Sequence, residues 1–327
     1  MTRPGRPALF CTDGFDECHG HRVTALAPGV SNVTLNADAV VDQDSLDAIE
    51  LAYFSADAWP DRSVNFMGAA LRAPNLRWLH TFSAGVDDPV FRTLAERGVT
   101  VTTSSGAAAG PIARSVLMYL LALSRDLPRL LRAQASHDWS PQSFDDLDGR
   151  TIGVVGMGPI GREVIRMSAA IGMRPIGMRR VVDGDEPCPT WPLARLPDLA
   201  AAVDVLVVAL PLTDDTRGIV SADVIGRMQP GAVFVNVGRG ELVDEDALAA
   251  ALRGRRLGGA GLDVFRTEPL PADSPLWDAP NVIVTPHSSG SAKDAEAGSV
   301  EIFFANLVAF LAEEPMVNVA DLTRSVS

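Results

Sequence analysis

Short apolar runs alternate with longer stretches of helical spacing along most of the chain. The clearest runs are TIGVVGMG (Thr151–Gly158), RPIGM (Arg174–Met178), DVLVVALP (Asp204–Pro211), GAVFVNVG (Gly231–Gly238), GAGLDVF (Gly259–Phe265) and NVIVTPH (Asn281–His287). Between them lie a helical stretch from Pro159 to about Ile171 and segments such as VDEDALAAALRGRR, acidic at its start and basic at its end as the helix dipole favours. Continuous apolar strands alternating with helices predict an α/β fold, a doubly wound parallel sheet covered on both faces. A weaker set precedes it: ALFCTD (Ala8–Asp13), ELAYFS (Glu50–Ser55), LRWLHTF (Leu76–Phe82) and VTVTTS (Val99–Ser104). These predict a smaller α/β domain. The stretch PIARSVLMYLLALSR (Pro111–Arg125) is apolar nearly all round, so it belongs at a domain junction or a subunit interface. EIFFANLVAFL (Glu301–Leu311) is a second apolar helix, expected to return to the first domain and make that domain discontinuous. The expected division is 1–105 with 288–327 for the smaller domain and 106–287 for the larger.

Composition narrows the function classes. The 327 residues suit two domains, and 47% hydrophobic against 21% charged residues suffices for sizeable cores. A net charge of −13 excludes a sequence-independent grip on nucleic-acid backbones, although a local anion site built from backbone N–H groups stays open. Lys293 is the one lysine, so single arginines carry little weight. No apolar run reaches the ~18–20 residues of a membrane helix. The opening MTRPGRPALF has no signal-peptide core, and the expected location is the cytoplasm. Cys11, Cys18 and Cys188 then read as reduced thiols. Cys11, Cys18, His19 and His21 match no familiar zinc spacing; they read as a strand end followed by a polar loop, and no metal is expected.

Chemistry enters with GMGPIG. Gly156, Gly158 and Gly161 fit G-x-G-x-x-G, after a strand and at the opening of a helix, where a dinucleotide pyrophosphate meets a helix N-terminus. An acid is then expected ~20 residues on to hold the adenosine ribose. Arg179 stands there instead, followed by Arg180. A guanidinium pairs with a 2′-phosphate where a carboxylate repels it, which favours NADP over NAD; the alternative is a solvated loop arginine. Three further segments follow predicted strands: VNVGRGELVDE with Arg239, GLDVFRTEPLP with Glu268, and VIVTPHSSG with His287. Parallel sheets gather ligands at the carboxyl ends of their strands, so the three side chains can converge. Arginine anchors a carboxylate and polarises a carbonyl, histidine exchanges a proton near neutral pH, and glutamate favours imidazolium and fixes its tautomer. Singly, each has a bland reading: a turn cap, a solvated acid, a satisfied interior histidine.

From about Ile152 to Gly290 the chain resembles the D-isomer-specific 2-hydroxyacid dehydrogenases. GVVGMGPIG, ALPLTDDTRGIV, MQPGAVFVNVGRGELVDEDAL, GLDVFRTEPLPADSPLW and NVIVTPHSSG carry the resemblance, more weakly extended by HTFSAGVDD (His80–Asp88) and NLVAFLAEEPMVNV. The resemblance implies a Rossmann-type cofactor domain inserted into a flavodoxin-like substrate domain, and a homodimer formed through the cofactor domain. It implies that Arg239 binds a small 2-keto or 2-hydroxy acid, that His287 is the acid/base and Glu268 its partner, and that Ala84, Gly85 and Val86 hold the substrate carboxylate. Cofactor contacts are implied for Gly156, Gly158, Pro159, Ile160 and Gly161, with Arg179 and Arg180 at the ribose. Leu210, Pro211 and Thr216, Val237, Gly238 and Arg239, and Asp263, His287, Ser289 and Gly290 complete that set, Asp263 near the nicotinamide carboxamide. Trp139 resembles a tryptophan that reaches the neighbouring subunit's site in glyoxylate/hydroxypyruvate reductases; a buried interface tryptophan is the alternative.

Some positions depart from the family pattern. Arg114 stands where many members have glutamate, and Ser288–Ser291 is more polar than usual. Glu268 disfavours the formate dehydrogenase branch, and a chain stopping at Ser327 leaves no room for the regulatory domain of long phosphoglycerate dehydrogenases. The expected activity is reversible reduction of glyoxylate or hydroxypyruvate. The rivals are a short phosphoglycerate dehydrogenase, which needs a basic pocket that cannot be placed in the first domain, and a dinucleotide-sensing corepressor with little turnover.

Overall fold

The computed structural model describes residues 7–36, 41–182, 184 and 186–322. The chain divides into two compact units, one formed by Met1–Ala107 with Lys293–Ser327, the other by Ala108–Ala292.

The first unit runs β1 (Ala8–Thr12), α1 (Asp13–Leu26), β2 (Ser31–Leu35), α2 (Gln43–Ala48), β3 (Ile49–Phe54), α3 (Ser63–Arg72), β4 (Trp78–Thr81), α4 (Pro89–Glu96) and β5 (Thr100–Thr103). Its strands form one parallel sheet in the order β2-β1-β3-β4-β5, the flavodoxin-like order. The second unit runs α5 (Ala109–Ser124), α6 (Leu127–Ala135), β6 (Thr151–Val155), α7 (Pro159–Ala170), β7 (Arg174–Arg179), β8 (Thr190–Pro192), α8 (Leu196–Ala202), β9 (Val205–Val208), α9 (Ala222–Arg227), β10 (Val233–Asn236), α10 (Glu245–Arg253), β11 (Gly259–Leu262) and β12 (Val282–Val284). Its seven strands pair in parallel in the order β12-β11-β10-β9-β6-β7-β8, which reverses direction between β6 and β9 as in a Rossmann sheet. The last helix, α11 (Lys293–Leu311), belongs to the first unit.

Strand alternation builds a core on each face. In β9, Val205 and Val207 point into one apolar cluster and Leu206 and Val208 into the other. In β3, Ala52 and Phe54 meet α3 and α4, while Leu51 and Tyr53 meet α1 and α11. Phe303 of α11 stacks on Tyr53 and Trp78 at centroid distances of 4.4 and 5.6 Å. Helix α5 buries Val116, Tyr119, Leu120 and Leu123 within its own unit but leaves Met118 and Leu121 exposed.

Every strand expected from the pattern is present, and two were not foreseen. Both β2 and β8 are edge strands whose partly exposed, polar or proline-bearing sequences carry no apolar run. One expectation is corrected: the segment after β1 is not a polar loop but α1. Thr12 caps it by accepting from the Phe15 N–H, and Asp13 and Asp16 lie in its first turn. Only Phe15 and Val23 are buried along it, so its periodicity is faint. Cys11 is buried in β1, Cys18 and His21 are exposed, and His19 packs on Phe15.

A buried polar network joins β3, β4 and β5 to α11. His80 bonds Thr102 Oγ1 through Nδ1 (2.7 Å) and Ser104 Oγ through Nε2 (3.0 Å); Ser104 meets Ser299 (2.7 Å), which meets the Tyr53 hydroxyl (3.0 Å). Burial lowers the His80 pKa to about 3. The unfolded chain therefore binds an extra proton between that value and the ordinary histidine pKa of about 6.5. Stability from this group is complete above the ordinary value and is lost as pH falls toward 3. Urea unfolding between pH 7 and pH 4 should show a loss to which His80 contributes on the order of 2–4 kcal/mol. His80→Gln should flatten that slope, and an unchanged slope would show that His80 is not responsible.

Candidate active site

The second unit gathers its chemistry at the carboxyl ends of β6, β9, β10, β11 and β12. After β6, Gly156 takes φ +111°, and a Cβ there would lie 2.5 Å from the Ala209 carbonyl oxygen. Glycine is required. At Gly161 an added Cβ would lie 1.8 Å from the Gly156 oxygen, so helix and loop close on each other only without a side chain. Gly158 differs. A Cβ there would meet nothing within 4 Å, and Gly158 caps α7 with no side-chain hydrogen bond. Open space over an uncapped helix N-terminus suits a pyrophosphate. Pro159 and Ile160 open that helix.

Leu210 and Pro211 follow β9, and the Thr216 hydroxyl donates to the Pro211 carbonyl (2.8 Å), closing the loop on itself. Gly238, after β10, packs where a Cβ would lie 2.8 Å from the Leu210 oxygen, so these two loops adjoin, with Val237 buried beside them. Arg239 stands three residues past β10. The Asn236 side chain shapes its turn, donating to the Arg239 carbonyl (2.9 Å) and accepting from the Gly238 N–H (3.0 Å). An Arg239 guanidinium N–H donates to the Gly238 carbonyl (2.8 Å). Gly240 lies directly against the Phe265–Arg266 backbone, where a Cβ would sit 1.8 Å from the Phe265 carbonyl carbon. That contact sets the arginine turn beside the loop carrying Glu268.

Glu268 is fixed from both oxygens. Oε1 accepts from the Phe265 N–H (2.9 Å) and Oε2 meets His287 Nδ1 (2.8 Å). The loop is further held by Glu245, which accepts from the Arg266 N–H (2.5 Å) and whose carboxyl pKa burial raises. His287 takes φ +50°, the left-handed region. Asp263, 1% exposed, supports that turn. Its backbone oxygen accepts from the His287 N–H (2.8 Å); its carboxylate accepts from the N–H groups of Ser288 (2.9 Å) and Ser289 (3.1 Å) and from the Thr285 hydroxyl (2.5 Å). Gly290 follows against Ala108 and Ile112.

Arg179 ends β7, its side chain 29% exposed, and donates to Glu186 (3.2 Å), whose side chain is only 4% exposed. Glu186 also accepts from the Gly184 N–H (2.9 Å). Arg180 is exposed. Trp139 is 93% exposed, and Arg114 is exposed on α5. In the first unit, Ala84, Gly85 and Val86 form the turn after β4, which Ser83 closes by accepting from the Gly85 N–H (3.0 Å) and donating to its carbonyl (2.8 Å). Sequence reasoning missed Asn236, Glu245 and Glu186. A polar residue ending an apolar strand was a signal for Asn236; no local pattern marks the other two.

The family model described as "D-isomer specific 2-hydroxyacid dehydrogenase, NAD binding domain" matches residues 117–289. The chain is 35% identical over 261 residues to the D-3-phosphoglycerate dehydrogenase of Mycobacterium tuberculosis, covering 78% of this chain and 49% of that protein. It thus spans about half the length of that relative. It is 34% identical over 253 residues to glyoxylate/hydroxypyruvate reductase B of Pectobacterium carotovorum, covering 75% and 79%. A D-isomer specific 2-hydroxyacid dehydrogenase from Xanthobacter autotrophicus, solved with NADPH and MES, superposes with a TM-score of 0.81 at 30% identity, covering 98% and 99%.

The three glycines separate two demands. Gly161→Ala should destabilise the fold by about 1–3 kcal/mol through overpacking. Gly158→Ala should leave the melting temperature near wild type and weaken binding of a reduced nicotinamide dinucleotide about tenfold, read by nucleotide fluorescence, because its methyl occupies the space open to phosphate. Unchanged binding in Gly158→Ala would place the pyrophosphate elsewhere.

Proposed function

We propose that this chain, which belongs to the D-isomer specific 2-hydroxyacid dehydrogenase family, reduces a small 2-keto acid such as glyoxylate or hydroxypyruvate to the D-2-hydroxy acid with NADPH. The observation that carries the reading is the His287–Glu268 pair at 2.8 Å, held from behind by the Phe265 amide. Glutamate engages Nδ1, so Nε2 is the nitrogen that gives a proton to the carbonyl oxygen in reduction and takes one from the alcohol in reverse. Arg239 anchors the substrate carboxylate as a guanidinium fork and stabilises the developing alkoxide. A nicotinamide dinucleotide, when bound, supplies the hydride.

The relatives leave two substrates to weigh, a phosphorylated hydroxy acid and a smaller keto acid. A substrate phosphate needs a cation beside the substrate. The turn expected to hold the substrate carboxylate, Ala84–Val86, is followed by Asp87 and Asp88 rather than by a cation. This favours the smaller acid. The oriented His287–Glu268 pair favours turnover over a purely binding role.

His287→Ala should lower kcat for glyoxylate reduction by ~10²–10⁴ with NADPH affinity kept. Arg239→Lys retains charge but loses the fork, so KM for the keto acid should rise and kcat fall together. Near wild-type turnover of His287→Ala in a steady-state assay would sink the acid/base assignment; a change confined to the cofactor KM would remove Arg239 from the substrate.

Cofactor choice rests on Arg179. A guanidinium has five donors, so it can serve Glu186 and a 2′-phosphate together, and the pairing presets its position at the strand end. One charge-assisted contact is worth about 1.5–3 kcal/mol, so NADPH should exceed NADH at least about tenfold in kcat/KM. Arg179→Gln should cost NADPH much more than NADH. Equal efficiency with both cofactors in the wild-type enzyme would refute the preference.

A further inference from the structure

Helix α5 carries a tyrosine whose ring is fully buried and whose hydroxyl reaches the loop before His287. Tyr119 OH lies 2.5 Å from Thr285 Oγ1, a residue 166 positions away. Thr285 Oγ1 lies 2.5 Å from Asp263 Oδ1, and Asp263 holds the Ser288 and Ser289 amides. The ring is fitted to its place: on β11, two residues before Asp263, a Cβ at Gly261 would lie 2.6 Å from the Tyr119 ring.

Donor and acceptor counting gives the chain a direction. A carboxylate only accepts, so the Thr285 hydroxyl donates to Asp263. Its proton is then committed, and the tyrosine hydroxyl must donate to Thr285. The phenol keeps its proton for this role, since burial pushes its pKa up to about 12. The geometry points to Tyr119 as a positioning residue for the acid/base turn: acting through Thr285 and Asp263, its hydroxyl holds His287 in the left-handed conformation that faces Glu268. Left-handed backbone at a non-glycine residue is strained, so a turn of this kind persists only where neighbours over-determine it. Three successive amides tied to one aspartate supply that, and a ring wedged under β11 fixes the aspartate's own partner.

The inference rests on His287 being the acid/base, and the experiment keeps the two apart. Full-length Tyr119→Phe keeps the ring and removes only the donor. In glyoxylate reduction with NADPH its kcat should fall about threefold to tenfold, the worth of one neutral hydrogen bond, while NADPH affinity stays within about twofold of wild type. Thr285→Val should show the same split, Thr285→Ser should restore kcat, and the Tyr119→Phe/Thr285→Val double variant should be no worse than Thr285→Val alone. Amide exchange across Thr285–Gly290, read by mass spectrometry, should quicken in Tyr119→Phe, and it reports on the turn whatever the substrate. Unchanged kcat and unchanged exchange in Tyr119→Phe, or multiplying losses in the double variant, would overturn the positioning role. His287→Ala run beside them separates the premises: if it alone is inactive, only the tyrosine's role has failed, and if it turns over normally, the acid/base reading has failed.

Discussion

A buried carboxylate governs the second unit. Asp263 is 1% exposed, and an ionised group so far from water persists only when hydrogen bonds replace its hydration. Those bonds come from Thr285, Ser288 and Ser289, so the chain leaving β12 has to wrap around the end of β11. Wrapping turns His287 into a left-handed conformation with Nδ1 against Glu268. Glu268 in turn leans on the Phe265 amide, and Gly240 brings the Arg239 turn against that same backbone. The loops after three adjacent strands are therefore interlocked, and a disturbance at the aspartate propagates to His287 and Glu268.

Close backbone approach is the second constraint, and it is met by omission of side chains. At Gly156, Gly161, Gly238 and Gly240 a Cβ would collide with a neighbouring main chain: Gly161 lets α7 close on the loop that precedes it, and the other three let loops from different strands touch. Gly158 faces open space instead. The same residue type thus closes the fold at four points and leaves it open at one, where the uncapped N–H groups of α7 point outward.

In the first unit the comparable device is polar and internal. One face of the five-stranded sheet is completed by α11, which enters from the far end of the chain with Phe303 and Phe304. The His80–Thr102–Ser104–Ser299–Tyr53 network gives that packing a register, because each buried polar atom finds its partner only when helix and sheet are correctly seated.

The long apolar strands, the glycine loop after β6 and the placement of Arg239, Glu268 and His287 after successive strands were legible from local pattern. Period and composition encode burial, and parallel winding converts sequence order into a shared end of the sheet. The edge strands β2 and β8 and the polar helix α1 were not, since an element that buries little leaves little periodicity. Cys11 and His19 looked alike beside Cys18 and His21 until the helix separated their environments. Arg179 was visible as an arginine where an acid was expected, but its pairing with Glu186 depended on the path of the loop after β7. Tyr119 read as one apolar position on an apolar helix. Its hydroxyl gained a partner only when β11 and β12 came to lie across α5, because hydrogen bonds between distant segments are set by register and depth, which no local pattern carries.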